Sequence, residues 1–244
     1  MAQGTTRTAL KFDKLNRLGY KDYFGKMFIT PQQMRRRIDL ARDIETVMLY
    51  YLAYLAIADE IDIPLESIKE DVESKLTTAV ERHLELNPFV KKRITAVVDE
   101  IAETTLKHLS IDDDDGSDDS DEEAAEATVE SALDDDEDAE EDEQNYWLSY
   151  ERAMLISANE ANAFENSRDL QDAKAQGKKY KKWRTEMDEK VRLDHFDAEG
   201  QTVGIDGLFL IGGYEMAFPM DDSHGAPPQE TINCRCSCEY TDRP

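Results

Sequence analysis

Long apolar runs are missing from this 244-residue sequence, and their absence removes a membrane-spanning helix from consideration. The longest run, 47–57, has eleven residues, whereas about 20 are needed to cross a bilayer. The first thirty residues contain no apolar core of the length that a secretory signal requires. We therefore expect a soluble protein that is made in the cytoplasm and has no membrane partner.

Cysteine is scarce: the chain has three, all within its last eleven residues and at alternate positions. A single cluster cannot form the disulfide framework of a small secreted protein. In an extended segment, however, side chains two residues apart point to the same side. The three thiols could thus hold a metal ion, form a strained disulfide or remain plain thiols, and the usual C-x2-C spacing of structural zinc sites is absent.

Sequence signatures of catalysis are missing as well. The chain contains no H-E-x-x-H, no H-x-E with P-C-x-x-C, no G-x-S-x-G and no phosphate-binding loop. We therefore expect that the protein is not an enzyme. The alternative is a zinc-dependent nuclease or toxin-like module built on His195 and the C-terminal cysteines, in which a metal-bound water or a cysteine–histidine pair attacks the substrate.

Lysine and arginine are absent from one long segment. Residues 112–143 hold 20 of the 55 acidic residues and none of the 29 basic ones. The net charge of −26 is therefore mostly local, and the rest of the chain carries only −6. Such a segment repels itself and has little to bury, so 111–143 is predicted to be an acidic disordered linker. It acts either as a spacer or as a cover for basic surfaces.

Helical periodicity organises the chain before the linker. Thr30 and Pro31 form a helix start, and apolar residues then recur every three or four positions. Two further helices with the same periodicity follow. Three helices joined by short loops predict a helical domain over 31–110. The preceding arm, 1–30, is expected to become ordered only against a partner or the neighbouring helices.

Two helices are predicted after the linker, the first over 144–176. The second is expected to contain Asp188, Arg192 and His195, which differ by four and three residues and would therefore share one face. A helix that offers a histidine, facing a strand that offers thiols, could build a zinc site. Its predicted ligands are His195, Cys234, Cys236 and Cys238.

The remaining C-terminal residues predict short strands. Three brief segments between 201 and 218 are punctuated by glycines, and 231–240 is expected to be a final strand. Because strands this short are marginal alone, they must pack on the preceding helix. The predicted fold class is α+β: an N-terminal helical bundle, the acidic disordered linker, and a small C-terminal domain over 144–244 with long helices and short antiparallel strands.

A basic segment precedes the second of these helices. From Lys174 to Arg184 it has six basic residues, no acidic residue and two aromatic ones. Lysines can neutralise phosphates, and aromatic rings can stack on bases. The alternative is that Trp183 belongs to the core and the lysines only solvate one helix face. Salt-sensitive retention on DNA would test for a DNA contact by Lys178, Lys179, Tyr180, Lys181, Lys182 and Arg184.

A set of separated residues in the C-terminal half occurs in a fixed order: Glu160, Trp183, Asp188, Arg192, His195, Gly200, Pro219, Asn233 and Arg235. With Cys234 and Cys236 on either side of Arg235, this order resembles the phage head morphogenesis family, which includes the Mu F protein and the SPP1 minor head protein. The resemblance covers about 147–238. Cys238 is a third cysteine that the family pattern does not require.

The resemblance implies a minor capsid protein of a tailed virus or provirus. Such a protein is made in the host cytoplasm and resides inside the head near the portal. The implied partners are the portal protein, capsid and scaffold proteins, and viral double-stranded DNA. The implied role is to aid head assembly and DNA packaging or delivery. The family implies no established catalysis.

Overall fold

The computed structural model describes residues 19–57, 63–109 and 146–244. Within these ranges the protein combines long helices with short antiparallel strands, so the predicted α+β class is confirmed. The predicted acidic linker, 111–143, and the first eighteen residues of the predicted arm lie outside the described residues. No helix in the described ranges has both the length and the apolar character needed to span a membrane.

Four long helices form the larger part of the described structure, and each coincides with a periodic segment of the sequence. The first begins after Thr30, whose side chain accepts from the backbone N–H of Gln33, while the Gln33 side chain accepts from the Thr30 N–H. This reciprocal capping satisfies two N–H groups that the helix itself cannot. The helices are α1 (Pro31–Ala56), α2 (Leu65–Glu81), α3 (Pro88–Leu109) and α4 (Tyr150–Ala175).

One apolar core joins all four helices. Helix α1 buries residues three and four apart, as the periodicity predicts, and helix α4 contributes Ala153, Ala158, Ala161 and Phe164 to the same core. The first helix of the predicted C-terminal domain thus packs against the predicted helical domain. The division of the chain at 31–110 and 144–244 stays a prediction about domains, but the two ranges share a core.

The contact between α1 and α4 also contains buried charge. The guanidinium of Arg37, fully buried, donates to Asn162 Oδ1 at 3.0 Å, Asn166 Oδ1 at 2.8 Å and Asp169 Oδ2 at 3.0 Å. Arg36 beside it donates to Glu165 at 2.8 Å. Buried ionic groups are tolerated only when they are paired and hydrogen-bonded in this way.

The described end of the arm is part of the fold. Tyr20, Phe24 and Met27 are buried in the helical core, and residues 19–24 are helical. The backbone oxygen of Phe28 accepts from Ser237 Oγ at 2.9 Å, which brings this segment to the C-terminal strand. For residues 19–30 the neighbouring helices and that strand supply the packing that the sequence analysis expected to be necessary.

A three-stranded antiparallel sheet forms the base of the C-terminal part. Its central strand β1 (Tyr180–Arg184) pairs with β2 (Thr202–Gly204) on one side and with the last strand, Ser237–Thr241, on the other. Strands β3 (Phe209–Ile211) and β4 (Tyr214–Met216) form a separate hairpin, and the last strand is therefore β5. The hairpin turns at Gly212 and Gly213, both at positive φ, which glycine adopts without strain.

The predicted helix with Asp188, Arg192 and His195 on one face is wrong. Trp183 lies in strand β1, the chain is irregular after it, and only Leu193–Asp197 is helical (α5). Burial alternates along β1, with Lys181 and Trp183 inside, which is the period of a strand. A spacing of four and three among charged residues is therefore accidental here. One more short helix, α6 (Pro228–Thr231), precedes the cysteines.

Replacing Arg37 with Met is expected to lower the free energy of unfolding by about 3 kcal/mol, because the buried oxygens of Asn162 and Asn166 lose their donor and Asp169 loses one of its donors. Arg35→Met, at an exposed position of the same helix, is the matched control and is expected to change it by less than about 0.5 kcal/mol. Denaturant unfolding of the full chain, followed by circular dichroism, measures both. Equal stability of the two variants would contradict the structural role of Arg37.

Candidate functional site

A histidine and two cysteines meet in the interior of the C-terminal part. Helix α5 directs His195 inward, where it lies edge-on to the Trp183 ring with centroids 5.6 Å apart. Its Nδ1 is 3.4 Å from Cys234 Sγ and 3.4 Å from Cys236 Sγ. His195 is 2 % exposed and both cysteines are buried. We call these three residues the His–Cys cluster.

Helix α4 fixes the chain that carries the two cysteines. Asn159 Oδ1 accepts from the backbone N–H of Asn233 at 2.7 Å, and Asn162 Nδ2 donates to the backbone oxygen of Cys234 at 2.9 Å. Asn233 itself has a φ of 55°, a conformation that asparagine tolerates better than most residues. The backbone on either side of Cys234 is thus held by side chains from a rigid helix.

Three of the four predicted metal ligands come together, and the fourth does not. His195, Cys234 and Cys236 place their ligand atoms within 4.8 Å of one another. Cys238 lies opposite Trp183 in the β1–β5 ladder and lines a different cavity, of about 700 Å³. Cys238 lies in strand β5, which begins at Ser237, and its sulfur is not among the ligand atoms that come together.

Glu230 is the residue of the site that the sequence analysis missed. Its Oε2 lies 2.9 Å from His195 Nε2, so the imidazole is held between a carboxylate and two sulfurs. Glu230 comes from helix α6. No spacing relative to His195 signals it, since the two residues are brought together only by the fold. The carboxylate favours the tautomer with the proton on Nε2, which leaves the Nδ1 lone pair directed at the sulfurs.

The electrostatics of the His–Cys cluster favour one negative charge shared by two thiols. The hydrogen bond with Cys236 holds the pKa of Cys234 well below its usual value, although burial opposes this. The same hydrogen bond, together with burial, raises the pKa of Cys236. Burial lowers the pKa of His195, but the hydrogen bond and charge of Cys234 outweigh it and the net direction is upward.

A second polar cluster surrounds Arg235. Its guanidinium donates to Asp188 at 3.0 Å and also contacts Glu186. Burial raises the pKa of Glu186 to about 7 even though Arg235 opposes it, and the hydrogen bond from Arg235 lowers the pKa of Asp188. Arg192 donates to the backbone oxygen of Ile232 at 2.5 Å, so it binds the loop before the cysteines rather than Asp188.

The remaining residues of the ordered set also have structural contacts. Glu160 forms two hydrogen bonds with Arg93, at 2.8 and 2.9 Å. The Gly200 N–H donates to the Trp183 oxygen at 2.9 Å, and the Pro219 oxygen accepts from Asn166 at 3.3 Å. These residues connect helices, strands and loops around the His–Cys cluster, and none of the contacts requires a ligand.

The basic segment does not form one surface. Strand alternation buries Lys181 completely, with its Nζ donating to the Ala217 oxygen at 2.5 Å, and Trp183 is core. Lys178 pairs with Asp242 at 3.2 Å, and Arg184 with Glu199 at 3.1 Å. Among the residues proposed to contact DNA, Lys179 is exposed while Tyr180 and Lys182 are half-buried. Contact with DNA stays a prediction from the sequence.

The fold and the site define an α+β protein whose C-terminal part is organised around a buried His–Cys cluster and the polar contacts that hold it. Residues 122–239 match the family model described as "Phage Mu protein F like protein". This match supports the resemblance of the C-terminal half to the phage head morphogenesis family. That family is one of structural, minor capsid proteins of the virion. Comparisons with curated proteins and with solved structures gave no match.

The buried Lys181 gives the site a measurable pH dependence. Burial lowers its pKa to about 8, with Cys238, Lys174, Asp221 and Asp206 as the charged neighbours. Between about pH 8 and the value of about 10.4 for an unfolded lysine, the unfolded chain binds more protons, so stability rises with pH. Wild type is therefore expected to gain on the order of 2 kcal/mol relative to Lys181→Met across this window.

Lys179→Met, at the exposed neighbouring position, is the matched control for this measurement. Its unfolding free energy is expected to follow the wild-type pH profile, since the Lys179 side chain is exposed and Lys181 is unchanged in this variant. Urea unfolding at several pH values between 7 and about 10.4 gives all three profiles. If the unfolding free energies of wild type and Lys181→Met change with pH in the same way, burial does not lower the pKa of Lys181 in the folded protein.

Proposed function

We propose that this protein is a minor capsid protein of a tailed virus or provirus, bound near the portal inside the head. There it aids head assembly and contributes to DNA packaging or delivery. The family match over 122–239 carries the proposal. Its partners would be the portal protein, other capsid and scaffold proteins and, in the filled head, viral double-stranded DNA.

Burial supports a structural role for the ordered residues of the family. His195 is 2 % exposed, and Glu160 and Trp183 are also buried. A nuclease built on His195 would need to bring a phosphodiester group to a histidine that is only 2 % exposed. The zinc-dependent nuclease remains the alternative function, and it has less support than the head protein.

The contact with the portal is proposed to involve apolar side chains that are exposed around the site. Leu193 is 81 % exposed and Leu210 60 % exposed, and Phe196 is exposed beside Leu193. Helix α5, the β3–β4 hairpin and helix α6 meet at Gly212, where an added Cβ would lie 3.0 Å from Asp194 and 3.2 Å from Glu230. Exposed apolar groups on converging elements are typical of protein–protein contacts.

The first prediction from this proposal concerns purified particles. Quantitative mass spectrometry of procapsids and mature particles is expected to find the protein at a few copies per head, far below the major shell protein. A minor component bound at the portal vertex is limited in number by that single vertex. Absence from both kinds of particle would overturn the proposal.

The second prediction concerns the exposed apolar side chains. Replacing Leu193 and Leu210 together with Asp is expected to weaken co-purification with the portal protein at least about tenfold, because charges in an interface core are costly. Ile57→Asp, also at an exposed apolar position but at the end of α1, is the control and is expected to co-purify like wild type. If the Ile57 variant weakens binding and the double variant does not, the contact lies on the helical part instead.

A further inference from the structure

We propose that His195, Cys234 and Cys236 bind a zinc ion. The observation that carries this inference is the position of one nitrogen relative to two sulfurs. His195 Nδ1 is 3.4 Å from each of the two Sγ atoms, and all three residues are buried. No other group of three or more histidine, cysteine or acidic residues in the described parts of the chain has this arrangement.

Hydrogen bonding alone does not account for this geometry. An imidazole nitrogen has either one proton to donate or one lone pair to accept with, so it can satisfy only one of the two thiols. Glu230 at 2.9 Å favours the proton on Nε2, which leaves a single lone pair on Nδ1. A metal ion placed between the three atoms uses that lone pair and both sulfurs at once.

The distances agree with those of a tetrahedral zinc site. Zinc–nitrogen bonds of about 2.0 Å and zinc–sulfur bonds of about 2.3 Å, at the tetrahedral angle, place nitrogen and sulfur about 3.5 Å apart. The observed nitrogen–sulfur distances are 3.4 Å. Two sulfurs of such a site would be about 3.8 Å apart, within the 4.8 Å that contains the three ligand atoms.

The surroundings of the cluster are those of a metal-binding histidine. Ligating histidines commonly donate their second N–H to a carboxylate, which orients the ring and makes the ligand nitrogen more basic. Glu230 occupies this position. The hydrogen bonds that Asn159 and Asn162 make to the backbone next to Cys234 fix the cysteine segment in the same way.

The ligand set selects the kind of ion. Thiolate sulfur and imidazole nitrogen are ligands for zinc rather than for magnesium or calcium, which prefer oxygen. Two thiolates and a neutral imidazole balance the double positive charge, so burial of the ion leaves little net charge in the interior. The described residues supply three ligands, and a water molecule would complete the tetrahedron.

The proposed ion would cross-link two short segments. It connects helix α5, five residues long, to the loop that leads from helix α6 to strand β5. The hairpin strands β3 and β4 have three residues each, and elements of this length have little stability of their own. A zinc ion that binds only the folded chain adds its binding free energy to the free energy of unfolding.

The test uses the full chain, produced in zinc-supplemented medium and freed of loosely bound metal by gel filtration. Elemental analysis is expected to find one zinc per chain in wild type. Cys234→Ser and Cys236→Ser are expected to lose it. Cys238→Ser is the matched control, since it removes a cysteine from the same segment that lies outside the cluster, and it is expected to retain one zinc.

Cobalt substitution keeps the test decisive if a cysteine variant fails to fold. Cobalt-loaded wild type and Cys238→Ser are expected to show thiolate-to-cobalt charge-transfer absorption of equal intensity, as only two cysteines bind the ion. Glu230→Gln is expected to retain the site but to bind zinc about 10- to 100-fold more weakly. A competition titration with a chromophoric chelator measures this difference.

Two results would overturn the zinc site. One is wild-type protein that contains no stoichiometric zinc and gives no cobalt charge-transfer band. The other is loss of zinc from Cys238→Ser to the same extent as from Cys234→Ser. Alkylation in denaturant without reductant identifies the cause of a negative result: two unreactive cysteines indicate a disulfide between Cys234 and Cys236, and three reactive ones indicate plain thiols. The number of copies of the protein per particle, which tests the proposed function, does not depend on whether zinc is bound.

Discussion

The asparagines of helix α4 are the constraint on which the rest of the described structure depends, because their amides bond in two directions. Asn162 accepts from Arg37 of helix α1 and donates to the backbone oxygen of Cys234. Asn166 accepts from the same guanidinium and donates towards the Pro219 and Cys236 oxygens. The amide group suits this position because it offers an acceptor and donors on one short side chain. The helical core and the His–Cys cluster are therefore positioned by the same helix, and movement of one disturbs the other.

Much of the fold was predictable because most of it depends on local pattern. Apolar residues three and four apart located helices α1 to α4, and the capped start at Thr30 was confirmed. The helix expected to carry Asp188 and His195 was wrong, because i,i+4 spacing among charged residues does not require a buried face. Residues 180–184 instead form a strand, in which strand pairing buries the alternate residues Lys181 and Trp183. The packing of α4 against α1 could not be predicted, since its buried face contains asparagines and acids that usually face solvent.

The residues of the candidate site that could be predicted are those whose side-chain chemistry is distinctive by itself. Histidine and cysteine are rare and chemically distinctive, so His195, Cys234 and Cys236 were identified from residue type, and the two cysteines also from their closeness in the chain. Cys238 was included because the alternation of side chains in a strand was assumed for the whole of 234–238. The strand begins only at Ser237. Glu230 could not be found in this way, because acidic residues are abundant and only tertiary structure brings this one to His195. A residue that reaches a metal-ligating side chain only through the tertiary fold cannot be recognised from the nearby sequence, even when it determines the tautomer of that side chain.

The buried residues of the family resemblance are not the residues that are available to a partner. Glu160, Trp183 and His195 are buried and hold helices, strands and loops together. Leu193 and Leu210 are the most exposed large apolar side chains of the described structure, and neither belongs to the ordered set. These buried members of the pattern specify a scaffold, since each needs a particular neighbour in the interior. Exposed positions on the same scaffold are free of that requirement. We infer that the family pattern identifies how this module is built, whereas the partner it binds is determined by side chains that the pattern does not include.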